Sequence, residues 1–127
     1  MYKLFLIGSG GFIGSVFRYL LSGYVQNWSA TSRFPSGTLL VNVLGCFIIG
    51  FLSQLVESQG VFTPEARAFL FIGCLGGFTT FSTFGNESFN LLRDGQHALT
   101  LFNVGLHIVL GLIAVWFGRN LAHIIWR

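Results

Sequence analysis

GGFTTFSTFGNESF, residues 76–89, sets two glycines before two threonines and then strings hydroxyls, amides and a carboxylate along a single stretch. It lies inside an apolar segment, 66–92, that has the ~20 residues a helix needs to cross a hydrocarbon core of ~30 Å. At helical spacing Thr79, Ser82 and Asn86 form one line and Thr80, Thr83, Glu87 and Asn90 another, with Phe81 and Phe84 one turn apart on a face between them. Polar groups thus occupy most of the circumference, which excludes ordinary contact with lipid. Glycine costs a helix about 1 kcal/mol against alanine, and threonine hydroxyls compete for backbone carbonyls, so the spacing predicts a helix broken around 76–80. Irregular backbone at membrane depth is tolerated only where protein or water surrounds it, and its freed carbonyls commonly coordinate ions.

The rest of the chain supplies the setting. Its 127 residues are 53% hydrophobic and 9% charged, with a mean hydropathy of +0.72, far too little charge for a soluble domain of this size. Three more apolar segments, 4–25, 37–56 and 98–122, are each long enough to span a bilayer. The connections, QNWSATSRFPS, ESQGVFTPE and RDGQH, are short and carry turn chemistry. In the second, Thr63, Pro64 and Glu65 read as an N-cap, a first-turn proline and an acidic residue at the positive end of a helix. No short apolar core with a small-residue cleavage site marks the first segment as a signal peptide, so it is read as a retained span. The expected fold is an all-α integral membrane protein of four transmembrane helices, the third broken near its middle, with its function inside the membrane.

A net charge of +3 and a pI near 9.3 do not point to nucleic acid, because the seven Lys and Arg are scattered singly and form no stripe. Lys3, Arg67, Arg119 and Arg127 fall on one side of the four spans and Arg33 and Arg93 on the other, a bias weak enough to permit insertion in both orientations. Cys46 and Cys74, both within apolar segments, read as small buried hydrophobes, and no zinc-type spacing joins them to His97, His107 or His123.

Embedded polar residues sort into stripes. Gly11, Gly14, Ser15, Arg18 and Ser22 line one face of the first span, Thr38, Asn42, Gly45, Cys46 and Ser53 one face of the second, and Asn103, His107, Gly111 and Gly118 one face of the fourth. The G-x-x-x-G pairs at Gly10 and Gly14 and at Gly73 and Gly77 read as helix-packing surfaces. Arg18, ~21 Å into its helix from Leu4, must face the protein interior or water, and Glu87 is its first candidate partner, either in a structural ion pair or along an ion track. Asn42 needs several hydrogen-bond partners in a bilayer, whereas His107 serves equally as an interhelical hydrogen bond or as a functional group. Amide and hydroxyl donors together with the positive edges of phenyl rings make this interior compatible with an anion.

GGFIGSVFRYL at 10–20, GTLLVNVLG at 37–45 and GCLGGFTTFSTF at 73–84, followed by Glu87, resemble the signatures of the Fluc fluoride channels, also called CrcB. The resemblance runs the length of the chain in span number and motif order. It implies a dual-topology homodimer in the cell (inner) membrane, two copies inserted antiparallel with fluoride pathways along their interface. By it Phe81 and Phe84 match the paired phenylalanines whose ring edges face fluoride, Asn42 the pore asparagine, Ser82 and Thr83 the track hydroxyls, and Arg18 and Glu87 the embedded arginine and glutamate. It further implies a central Na+ held by the backbone carbonyls of Gly76 and Thr79 from both copies; oxygen-only ligation suits a hard cation. Gly111 and Val115 stand where family members often carry serine and threonine, which shifts attention on the fourth span to His107 and Asn103.

The resemblance implies passive fluoride export and no enzymatic chemistry. Fluoride enters cells as the neutral acid, ionises and leaves through the channel; a pore for it must replace its hydration while excluding larger chloride. A small multidrug-resistance type proton antiporter shares the size and span number, but Arg18 stands where such a protein would carry an embedded Glu. A dinucleotide-binding enzyme is disfavoured because KLFLIGSGG at 3–11 is followed by Ile13 where G-x-G-x-x-G needs glycine. A purely structural subunit would have no use for Asn42 and the third-span hydroxyls.

Overall fold

The computed structural model describes residues 1–127 and is helical throughout. Four stretches are long and apolar enough to cross a membrane: α1 (Tyr2–Trp28), α2 (Ser36–Gln59), a third span (Pro64–Arg93) and a fourth (His97–Ile125). The third span is two helices. Its first half, α3, joins Pro64–Arg67, Ala68–Leu75 and Gly76–Phe78; its second half, α4, is Phe81–Arg93; the fourth span is then α5.

Local chemistry sets the ends. Gly60, at φ +59°, closes α2 in the left-handed conformation that glycine adopts without strain. Thr63 then caps α3, its hydroxyl accepting from the Ala66 N–H at 3.1 Å, with Pro64 in the first turn. At the other end of the third span the N–H groups of Gly95 and Gln96 reach back to the carbonyls of Leu92 and Leu91, at 3.1 and 2.8 Å, the paired bonds of a Schellman stop. The loop between α1 and α2 is tied down by Gln26, which donates to the Phe34 carbonyl and accepts from the Gly37 N–H, each at 3.2 Å.

Packing is of two kinds. α1 lies along α3 and α2 along α5, and both crossings are made by glycine. A methyl group on Gly10 or Gly14 would fall on the carbonyls of Phe69 or Cys74, and one on Gly77 would sit 2.6 Å from the Gly11 carbonyl. The two G-x-x-x-G pairs therefore face each other, backbone against backbone. On the other side Gly50 and Gly118 let α2 and α5 meet at the Val115 and Phe47 backbones. Without water to drive apolar surfaces together, such close approach lets dispersion hold the helices. Only 19 residues are buried, and many large apolar side chains, among them Phe12, Ile72, Phe81 and Trp116, face outward.

The break is narrower than 76–80. Within α3, Ala68–Leu75 winds wider, as a π-helix. Gly76–Phe78 returns to α geometry; Thr79 (φ −85°, ψ 155°) and Thr80 (φ −149°, ψ 118°) are then extended, and α4 restarts at Phe81. The two glycines stay helical because Gly77 is engaged against α1. The two β-branched threonines are the residues that leave the helix. The π-helical stretch has no counterpart in the sequence reading.

Candidate functional site

Asn42, on α2 opposite the break, binds both backbone groups of the extended Thr80. Its Oδ1 accepts from the Thr80 N–H at 2.8 Å and its Nδ2 donates to the Thr80 carbonyl at 3.0 Å. The second Nδ2 hydrogen goes to His107 Nε2 at 3.1 Å. His107 Nδ1 lies 2.9 Å from the Asn103 carbonyl, which can only accept, so Nδ1 carries the ring proton and Nε2 is the acceptor. Both amide hydrogens of Asn42 are thus committed to protein, which gives it the several partners an amide at this depth needs and makes it a clamp on the break.

Arg18 does not meet Glu87. Its Nε donates to the Gly77 carbonyl at 3.0 Å, and no ion pair joins it to Glu87. The reason is local: in a continuous helix that carbonyl would accept from the Phe81 N–H, and the break turns it over to α1. Asn42 likewise takes the Thr80 N–H that a continuous helix would give to the Gly76 carbonyl. The break is therefore gripped from α1 and from α2.

Beside it opens a cavity of about 460 Å³ whose lining includes Asn42, Gly76, Thr79, Phe81, Phe84 and His107. The Phe81 and Phe84 rings lie 5.5 Å apart at 52°, and Phe84 packs on His107 at 4.3 Å. Phe81 is 83% exposed, extreme for a phenylalanine flanked by polar groups. The Thr79 hydroxyl turns back to the Leu75 carbonyl at 3.0 Å, whereas the Thr80 hydroxyl caps α4 by accepting from the Thr83 N–H and donates to the Thr83 hydroxyl. Ser82 is exposed, and neither it nor Thr83 lines the cavity.

Glu87 lies two turns further along α4 and outside this cavity. Its Oε1 accepts from the Thr38 hydroxyl at 2.7 Å, while Oε2 is buried without a partner. Next to it is a contact the sequence reading missed: Asn103, fully buried on α5, donates to the Ser88 hydroxyl at 2.8 Å, which donates to the Phe84 carbonyl at 2.8 Å. The signal for Asn103 was the one that marked Asn42, an amide in an apolar span. Ser88 was hidden among the other hydroxyls. Arg119 makes a two-pronged pair with Glu57 at 2.9 and 3.0 Å.

Apolar helices meeting through glycine, with a gripped helix break and an aromatic-lined cavity at the middle of the span, define a multi-pass membrane protein whose polar work is done within the bilayer. The chain belongs to the CrcB family: the family model described as CrcB-like protein, Camphor Resistance (CrcB), matches residues 5–119. Among its relatives, fluoride-specific ion channel FluC 3 of Methanosarcina barkeri is 44% identical over 122 residues, covering 96% of this chain and 91% of the relative. FluC 1 of Methanosarcina acetivorans is 47% identical over 119 residues, 94% and 89% of the two chains. The fluoride-specific ion channel FluC of Elusimicrobium minutum is 46% identical over 123 residues, 97% and 95%.

Proposed function

We propose that this chain is a fluoride-selective channel that lets fluoride leave the cell passively. The observation that carries the reading is the cavity beside the break, where Asn42, Phe81, Phe84 and His107 meet in a chain whose near full-length relatives are named fluoride-specific ion channels. Fluoride gives up water only to donors that replace it without holding the ion fast. Phenyl edges at Phe81 and Phe84 supply such donors in the cavity, and the hydroxyls of Ser82 and Thr83, outside it on α4, would continue the track, the Thr83 hydroxyl having its own proton to give because it accepts from Thr80. Asn42 and Arg18 contribute by fixing the break that aims these groups. Glu87, bonded to Thr38, belongs to the same polar line one stage further on.

The working unit in this reading is an antiparallel pair of chains. The exposed Phe81 and the open cavity give each copy a face for the other to complete. At the two-fold axis the carbonyls of Gly76 and Thr79 from both copies would hold a Na+ ion. The fit rests on uncharged oxygens at the break, with the Gly76 carbonyl deprived of its helical Thr80 donor by Asn42. A bound Na+ would fasten the two breaks together.

The test is purified protein in liposomes loaded with fluoride, efflux being started by a valinomycin shunt. Rapid fluoride efflux with little chloride efflux is expected; equal rates for both anions, or no efflux of either, would overturn the proposal.

A further inference from the structure

At the end of the molecule away from the α4–α5 turn, the start of α1, the end of α2 and the start of α3 enclose a second cavity of about 510 Å³. Its walls are apolar, formed by Ile7, Val56, Phe71 and Ile72, and its charged groups are Lys3, Arg67 and Glu57. Glu57 is neutralised from outside the cleft by the two-pronged Arg119 pair. Lys3 and Arg67 form no ion pair. The cleft therefore combines two uncompensated cations with an apolar trough, at the level where the spans reach the membrane surface.

We propose that this cleft seats an anionic phospholipid, its phosphate between Lys3 and Arg67 and an acyl chain along Ile7, Phe71 and Ile72. Basic pockets between transmembrane helices at the membrane surface have this charge complementarity to lipid phosphate. A small hydrated anion is a poor occupant, since it fills little of the volume and gains nothing from apolar walls. The site is separate from the cavity at the break, and the proposal stands whether or not the chain conducts fluoride.

The experiment titrates phosphatidylglycerol or phosphatidylcholine into the purified protein in uncharged detergent and follows the thermal unfolding midpoint. Phosphatidylglycerol raises the midpoint at concentrations where phosphatidylcholine does not. In Lys3→Gln/Arg67→Gln the apparent affinity for phosphatidylglycerol falls on the order of tenfold or more. Arg93→Gln/Arg127→Gln, which removes the same charge elsewhere, leaves that affinity unchanged. Equal response to the two lipids, equal loss in the two double variants, or full reproduction of the effect by inorganic phosphate would each overturn the proposal. Should the first double variant fail to elute like the parent before lipid is added, Lys3→Arg/Arg67→Lys replaces it: retained preference for phosphatidylglycerol supports the site, and loss of preference counts against it.

Discussion

The side-chain amide of Asn42 pairs with the Thr80 peptide as an adjacent strand would, one bond to the N–H at 2.8 Å and one from Nδ2 to the carbonyl at 3.0 Å. A lone side chain on α2 thereby satisfies a stretch of backbone that no helix satisfies. Leucine at position 42 strands both Thr80 groups at membrane depth, at about 1–3 kcal/mol each. Asn42→Leu is expected to lower the unfolding midpoint in detergent and to abolish fluoride efflux. Asn42→Asp, nearly the same shape, places an oxygen opposite two acceptors, the Thr80 carbonyl and His107 Nε2, and is expected to fare no better. An aspartate variant with parental stability and flux would remove the clamp from the account.

Phe81 touches the rest of the chain little and presents its ring beside the break. Phe81→Ile should leave folding and elution unchanged and cut fluoride efflux from liposomes by about tenfold or more, the size of effect expected when about 1.4 kcal/mol of ion stabilisation is lost. Phe84→Ile should disturb more, because Phe84 also packs on His107. Efflux at the parental rate in Phe81→Ile would place the ring outside the pathway.

The α1–α3 crossing makes a sharper stability prediction. Gly14→Ala drives a methyl into the Cys74 carbonyl and should cost about 1–3 kcal/mol, read as a fall in the thermal midpoint. Gly23, on the same helix, has open space where a methyl would go. Gly23→Ala should therefore be neutral or raise stability by up to about 1 kcal/mol. Equal effects from the two substitutions would mean that helix propensity, and not the crossing, dominates.

If Gly76 and Thr79 carbonyls hold Na+ between two copies, prolonged dialysis into a buffer of a bulky organic cation should loosen the assembly. Chemical cross-linking reads this directly: the cross-linked dimer fraction should fall without Na+ and recover when Na+ is restored. A fraction indifferent to the cation would argue against the site.

Span number and the place of the third-span break were legible because they follow from hydropathy and from residues with strong local preferences. The four apolar segments correspond to α1, α2, the α3–α4 span and α5, and the TT pair after GG lies where the chain turns extended. Partner choice was less legible. Arg18 and Glu87 looked like a pair by charge and depth, yet a carbonyl bared by the break lay closer to Arg18, and Thr38 reached Glu87. Which donor meets which acceptor depends on helix rotation, and spacing along a helix says nothing about its rotation against a neighbour. The π-helical Ala68–Leu75 was unreadable for another reason: AFLFIGCL has the composition of any apolar helix.

Where Gly10 and Gly14 meet Gly73 and Gly77, α1 and α3 touch backbone to backbone, so at that crossing no side chain can change rotamer to let one helix slide on the other. Switching between conformations needs packing with two alternative arrangements, and a junction of bare peptide offers one. Arg18, bonded to Gly77 from α1, locks the break to that same junction. The α1–α3 half of the molecule is thus framed as one rigid piece, and discrimination among ions falls to the groups arranged around the break, not to a sliding of these two helices.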